Sequence, residues 1–178
     1  MRHTISVLVA NEPGVLSRVS GLFSGRGFNI ESLNVAETLD PSVSRMTLIT
    51  RGNDQIIEQI IKQLNKLVSV LKVVDLTGSD YVGREMALIK VAAEASSRAE
   101  VLRIVDIFRG RVVDVSPKSY TMEITGDEEK IQAVIDLLAP IGIVEIVRTG
   151  KVAIGRVKKE SPNSGGAREK VPPESLEE

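Results

Sequence analysis

The sequence predicts an α+β fold in which one βαββαβ unit occurs twice. Segments of strand length alternate with segments whose apolar residues recur at helical spacing, and the order of elements found before Gly78 repeats after it. The 178 residues are long enough for two small domains. This order is that of the ferredoxin-like split βαβ unit, which places both helices on one face of a four-stranded antiparallel sheet.

The first unit begins with a strand predicted at His3–Ala10, in which every second residue is apolar. Pro13 and Gly14 then favour a turn and the start of a helix, which we expect to stop at Gly25 and Gly27. The remaining predicted segments are an extended stretch at Phe28–Thr38, a strand at Arg45–Thr50, a helix capped by Asn53 or Asp54, and a strand at Val68–Leu76.

The second unit follows a boundary at Gly78-Ser79-Asp80. Its first helix carries the capping-box pattern Ser97-x-x-Glu100 and is expected to end at Gly110, and Pro140 is expected to stop its second helix. The predicted strands are Glu85–Ala93, Arg111–Val115, Ser119–Thr125 and Ile141–Val147.

These patterns predict an N-terminal domain at residues 1–77, a C-terminal domain at residues 84–157 and a polar tail at residues 158–178. The tail has few apolar residues with which to form a core. A domain of about 75 residues buries only about 60% of its surface by itself. We therefore expect the open sheet faces to be covered, either by the other half of the chain or across a dimer.

Composition excludes several classes of function. There is no cysteine and only one histidine, His3, which excludes disulfides, thiolate nucleophiles and sites built from several histidines. Aromatic residues are 3% of the chain and the formal net charge is -1, so nucleic-acid binding is not expected. No apolar run approaches the length of a membrane span. The chain is expected to be cytoplasmic, with little equipment for catalysis.

Two segments are candidates for ligand binding. In the first, Asn11–Leu16, a helix start supplies free N–H groups, and Gly14 lets an anion such as a carboxylate approach them. A tight turn without a ligand explains this segment equally well. The second segment, Arg26–Val35, places Asn29 and Asn34 in a strand-like stretch where asparagine is uncommon. Solvent-facing positions at a strand start are the alternative there.

The first segment resembles the Asp/Asn-x-Pro-Gly-x-Leu loop of ACT domains, which are ferredoxin-like modules that sense amino acids. The second, Arg26–Leu33 followed by Val35, closely resembles the regulatory small subunit of acetolactate synthase, also called acetohydroxyacid synthase. That resemblance extends to about Val157. It continues through Ser44–Thr47, Gln63–Leu67 and Arg84–Val91.

The resemblance implies a non-catalytic subunit of branched-chain amino acid biosynthesis. In that family the small subunit binds and activates a catalytic large subunit, which carries thiamine diphosphate, Mg²⁺ and FAD, and it confers feedback inhibition by valine. No catalytic residue, metal or cofactor is then expected on this chain. The first ACT domains would pair as a homodimer with the effector at their interface. The implied effector-binding residues are Asn11, Gly14, Val15 and Leu16 of one protomer and Asn29 and Ile30 of the other.

The second half departs from this pattern, because Glu94–Ser97 stands where the first half has Asn-Glu-Pro-Gly. We expect it to keep the fold without binding valine in the same way. Other βαββαβ proteins fit less well: the chain lacks the basic Gly-rich loop of acylphosphatases, the strand aromatics of RNA-recognition modules and the Cys-x-x-Cys of heavy-metal modules. An ACT regulator that senses a different amino acid is the main alternative.

Overall fold

The computed structural model describes residues 1–156, and the predicted tail at residues 158–178 lies outside this range. The first unit contains six elements. They are β1 (Arg2–Ala10), α1 (Val15–Ser24), β2 (Ile30–Glu37), β3 (Val43–Arg51), α2 (Asp54–Leu64) and β4 (Val70–Asp75). Its four strands form an antiparallel sheet in the order β2-β3-β1-β4, so β2 and β4 are the edges.

The second unit repeats this arrangement and adds one strand. Its elements are β5 (Tyr81–Ala92), α3 (Arg98–Ile107), β6 (Arg111–Val115), β7 (Ser119–Gly126), α4 (Glu128–Leu138), β8 (Ile143–Arg148) and β9 (Val152–Gly155). The sheet order β6-β7-β5-β8 matches that of the first unit. The prediction of two tandem ferredoxin-like units is confirmed.

Each unit has its own hydrophobic core between one sheet face and its two helices. In the first unit the alternation predicted for β1 places Ile5, Val7 and Val9 against the helices, and all three are almost fully buried. In the second unit Ala87, Ile89 and Val91 of β5 do the same. None of the four helices within residues 1–156 is long and apolar enough to cross a membrane.

The helix ends agree only in part with the sequence predictions. The predicted cap at Asn53 is present, since its side chain accepts a hydrogen bond from the Ile56 amide at the start of α2. The capping box at Ser97 is absent, because Ser97 has a helix-like backbone (φ −105°, ψ −11°) instead of the extended one that an N-cap residue needs, and its hydroxyl donates to the carbonyl of Glu94. Helix α3 ends before Gly110, and Arg109 takes the left-handed conformation (φ +52°). Gly110 is instead needed for close packing, since a Cβ there would collide with the side chain of Ile124.

Strand β9 was not predicted, and β5 begins four residues before the expected start at Glu85. The added segment Tyr81–Arg84 pairs with β9 to form a two-stranded ribbon. The ribbon lies over the first sheet on the face away from its helices, where Tyr81 Oη is 3.5 Å from Thr4 Oγ1 and Gly155 lies beside Leu76. Within the chain, the two halves therefore cover part of each other, as their small size led us to expect.

The covered face of the first sheet carries both polar and apolar residues, and these are buried. Thr4, Ser6 and Thr47 expose 5% or less of their surface. Ile49 and Leu76 on the same face are also buried. In β1 and β3 such residues alternate with those of the core, so both faces of the strands are shielded from water. Although β1 and β3 alternate polar and apolar residues in the sequence, both faces of these strands are therefore buried in the folded chain.

The turn between β8 and β9 makes a close contact with β2. Asn34 Nδ2 donates to the Thr149 carbonyl at 3.4 Å, and Gly150 lies directly against Ser32. Gly150 has φ +81°, which favours glycine, and a Cβ at this position would overlap with Ser32 Oγ. Glycine is therefore required at position 150 both by the backbone conformation and by the contact between domains.

We predict that Gly150→Ala lowers the stability of the chain by about 2 kcal/mol, because the left-handed conformation and the overlap with Ser32 both disfavour a side chain. Thermal unfolding followed by circular dichroism should show a melting temperature lower by about 4–8 °C. Gly78→Ala is the matched control, since a Cβ at Gly78 meets no atom within 4 Å. Equal melting temperatures for the two variants would contradict this account of the contact.

Candidate functional site

The loop between β1 and α1 is open and depends on glycine. Gly14 immediately precedes α1 and has φ +84°, a conformation that side chains rarely adopt. No atom lies within 4 Å of the position that a Gly14 Cβ would occupy. The glycine thus serves the backbone turn and leaves space in front of the helix start, as a ligand-binding loop requires.

Helix α1 differs from the other helices of residues 1–156 in how it begins. Its first turn contains no acidic residue, and no side chain caps its amides. By contrast, Asn53 and Asp54 lie at the start of α2, and Asp127, Glu128 and Glu129 lie at the start of α4. Helix α3 has Glu100 in its first turn. The positive end of the α1 dipole therefore faces the open space unneutralised by its own first turn, which suits an anionic group.

Asn11 connects this loop to the hairpin between β2 and β3. Its Nδ2 donates to Glu37 Oε1 at 3.0 Å and to the Pro41 carbonyl at 2.9 Å, and its Oδ1 accepts from Ser44 Oγ at 3.1 Å. The Asn11 backbone amide also donates to the carbonyl of Ser42 at 2.7 Å. The asparagine thus fixes the position of the loop, and these contacts orient its amide group.

The turn that Asn11 contacts is itself held by a carboxylate. The hydroxyl and the backbone amide of Ser42 donate to Asp40 Oδ1 at 2.6 and 2.8 Å. These hydrogen bonds favour the charged carboxylate and hold the pKa of Asp40 below its usual value. The Asp40 carboxylate thus braces the turn in which the Pro41 carbonyl accepts from Asn11 Nδ2.

The two aliphatic residues after Gly14 have different surroundings. Val15 is 3% exposed and packs in the first core with Val9 and Val19. Its side chain is therefore not available to a ligand, and its backbone N–H makes only a long hydrogen bond, of 3.4 Å, to the Glu12 carbonyl. Leu16 is 45% exposed and can offer its side chain to a partner or ligand.

Asn29 and Ile30 lie far from this loop within the same chain. Ile30 pairs with Thr50, and Thr50 pairs with His3 at the beginning of β1, whereas the loop follows the end of β1. Thr50 lies seven positions along β3 from Val43, which pairs with Ala10. At the usual rise of a strand this is about 23 Å. One protomer therefore does not bring the two groups of predicted site residues together.

A cavity of about 310 Å³ lies elsewhere, between the two domains, and its walls carry paired charges. Arg148 forms two hydrogen bonds with the buried carboxylate of Glu85, which raise the pKa of Arg148. Arg2 pairs with both Glu31 and Glu128. Because these charges neutralise one another, we interpret the cavity walls as a domain contact. Within residues 1–156 no three metal-binding side chains cluster as a metal site.

Sequence reasoning missed two residues of the loop environment, Glu37 and Ser44. Both side chains contact Asn11, and the two residues pair with each other across β2 and β3. The only sequence signal was indirect, because Ser44 begins the Ser44–Thr47 segment used in the resemblance. Glu37 has no motif of its own, and its position became evident only from the sheet register.

Two ferredoxin-like units in tandem, the first with an open Pro-Gly loop at an uncapped helix start, define a protein with ACT domains. Family comparison agrees. Residues 5–72 match the acetohydroxyacid synthase small subunit-like ACT domain, and residues 84–157 match the small subunit of acetolactate synthase. The chain belongs to the acetolactate synthase small-subunit family.

Individual relatives support the assignment over most of the chain. The acetolactate synthase small subunit of Aquifex aeolicus is 56% identical over 156 residues, covering 87% of this chain and 81% of that protein. The Haemophilus influenzae small subunit is 52% identical over 160 residues, covering 89% of this chain and 98% of that protein. The crystal structure of the Thermotoga maritima small subunit is 45% identical, covers 88% of this chain and 98% of that one, and superposes with a TM-score of 0.81.

We predict that Asn11→Ala loosens the β2–β3 hairpin, because three side-chain hydrogen bonds are lost. The expected loss of stability is about 1 kcal/mol, since two of the three bonds are exposed to water and the third is partly buried. Hydrogen exchange should become faster at the amides of Thr38 and Val43, which close the hairpin. Asn65→Ala, which removes a hydrogen bond at the end of α2, should leave these two amides unchanged. Unchanged exchange in Asn11→Ala would show that Asn11 does not support the hairpin.

Proposed function

We propose that this chain is the regulatory subunit of an acetolactate synthase and acts in branched-chain amino acid biosynthesis in the cytoplasm. It binds and activates a catalytic large subunit and confers feedback inhibition by valine. Thiamine diphosphate, Mg²⁺ and FAD belong to the large subunit, and this chain carries no cofactor and performs no catalysis. The observation that carries the proposal is the open Gly14 loop before the uncapped start of α1, in a chain of this family.

The chemistry of the loop suits a small aliphatic amino acid. The first-turn amides of α1, including those of Val15 and Leu16, donate to the carboxylate of valine. The exposed side chain of Leu16 packs against the isopropyl group, and Ile30 of the second protomer completes the aliphatic wall. Asn11 and the second protomer's Asn29 orient the polar end of the ligand.

Dimerisation through β2 brings the two halves of the site together. Strand β2 is an edge of its sheet and presents unpaired backbone groups, which favours pairing with another strand. A twofold axis pairs the two β2 strands antiparallel, so the Ile30 end of one lies beside the Glu37 end of the other. Glu37 contacts Asn11 at the start of the Gly14 loop. Asn29 and Ile30 of one protomer thereby reach the loop of its partner.

We predict that the full chain co-purifies with its catalytic large subunit and raises the rate of acetolactate formation. Valine added to this reconstituted complex should lower the rate, whereas the large subunit alone should respond less to valine. The chain by itself should form no acetolactate. The measurement is acetolactate production for the large subunit, the chain and their mixture, each with and without valine. A mixture that neither co-purifies nor gains activity would refute the proposal.

A subunit-mixing experiment tests the shared site. Gly14→Asp adds a negative charge where the valine carboxylate binds, and Asn29→Trp fills the partner's side of the site with bulk. Each variant homodimer should bind no valine, because both of its sites are damaged. A heterodimer purified through two different tags should bind one valine per dimer, since its two substitutions fall in the same site and the other site is intact.

Gly78→Asp controls for the effect of adding a negative charge, because Gly78 also faces open space but lies at the domain boundary, away from the Gly14 loop. It should bind valine as the unmodified chain does, by titration calorimetry. If Gly14 and Asn29 belonged to a site within one protomer, each chain of the heterodimer would carry its own defect. A heterodimer that binds no valine would therefore contradict the shared site.

A further inference from the structure

We propose that Glu37 is the residue that accepts the ammonium group of the effector and so restricts the site to amino acids with a free amino group. This inference rests on the proposed function, because it concerns the same site. A free amino acid carries two opposite charges, and a selective site needs a partner for each. The start of α1 provides for the carboxylate only, so the ammonium group needs a separate acceptor.

Glu37 lies at the correct end and on the correct face of the sheet for this role. It pairs with Ser44, which also pairs with Val9, and Val9 packs in the core beneath the helices. The Glu37 side chain is thus on the helix face, at the end of β2 nearest the loop. Its contact with Asn11 Nδ2, at 3.0 Å, holds the carboxylate beside Asn11, whose Cα lies three residues along the chain from that of Gly14. Three residues span at most about 11 Å.

Asn11 and Glu37 have different roles in this arrangement, as their hydrogen bonds indicate. Both hydrogens of Asn11 Nδ2 have acceptors, Glu37 Oε1 and the Pro41 carbonyl, and Oδ1 already accepts from Ser44. An ionised carboxylate has two oxygens and about four acceptor sites, of which Asn11 occupies one. Glu37 therefore keeps the capacity to bind an ammonium group while Asn11 holds it in place.

The charge of Glu37 is not neutralised by its neighbours. Within residues 1–156 no lysine or arginine forms a salt bridge with it. The nearby carboxylate of Asp40 instead accepts its hydrogen bonds from Ser42 in the turn. An ammonium group at the loop would pair with Glu37 in a charge-assisted hydrogen bond, the stronger kind. The second acid of the loop, Glu12, is exposed and provides the natural comparison.

The test uses the full chain, titration calorimetry and two probes, valine and 3-methylbutanoate, which is the same molecule without the amino group. Valine binding by the unmodified chain is the first requirement, and its absence would refute the proposed function rather than this inference. Glu37→Gln keeps an oxygen that accepts from Asn11, so it removes the charge with little change to the hairpin. Its affinity for valine should fall about 10- to 100-fold.

The second probe separates recognition of the ammonium group from a merely structural effect. If 3-methylbutanoate binds the unmodified chain measurably, Glu37→Gln should leave its affinity unchanged; if it binds too weakly to detect, the ammonium group is shown to be needed. Equal affinity of the unmodified chain for both probes would overturn the inference. So would an equal loss of both ligands in Glu37→Gln.

Glu12→Gln is the matched control, because it makes the same change in the neighbouring loop acid. It should keep its affinity for valine within about twofold, and both variants should retain the melting temperature of the unmodified chain. If Glu12→Gln lost valine and Glu37→Gln kept it, the ammonium acceptor would be Glu12 and the assignment of Glu37 would be wrong.

Discussion

The antiparallel register of the first sheet is the constraint on which the rest depends. Because β1 and β2 both run antiparallel to β3, the loop after β1 and the start of β2 fall at opposite ends of the sheet. The Gly14 loop and Asn29 then lie about 23 Å apart along the strands of one chain. If these two segments act on one ligand, a second copy of the chain must contribute one of them. The free edge of β2 gives that copy a place to pair.

The second domain also contacts β2, through the turn between β8 and β9. Gly150 lies against Ser32 and Thr149 accepts from Asn34, so the β8–β9 turn packs on the face of β2 that points away from the helices, while the outer edge of β2 stays open. Glu31, which follows Ile30 directly, pairs with Arg2, and Arg2 also pairs with Glu128 at the start of α4. The strand that would carry one half of the effector site therefore also contacts the second domain.

The fold could be predicted from the sequence because its local signals agree with each other. Alternating apolar residues in β1, Pro13-Gly14 before α1 and Asn53 before α2 each indicate the element that is present. Strand β9 escaped prediction because four residues with weak alternation form a strand only through pairing with Tyr81–Arg84. The capping box predicted at Ser97 did not form because Ser97 has a helix-like backbone, which does not aim its hydroxyl oxygen at the first-turn amides.

Of the residues at the candidate site, some could be identified from the sequence and others could not. Gly14 could be identified from sequence because both its backbone conformation and its lack of a side chain follow from the Pro-Gly pattern. The burial of Val15 and the hairpin contacts of Asn11 depend on packing and on strand register, which a pattern of residue types does not contain. Glu37 had no sequence signal because its contact with Asn11 joins residues 26 positions apart.

The two domains share one topology but begin their first helices differently. At α1 the first turn has no acid and Gly14 leaves the amides open, so an anion is attracted. At α3 Glu100 lies in the first turn and Ser97 stands where α1 has Gly14, so the dipole of this helix is partly compensated. The cores need not change for this difference, because the loop lies outside both of them. The two helix starts therefore differ only in the preceding loop and in the first helical turn.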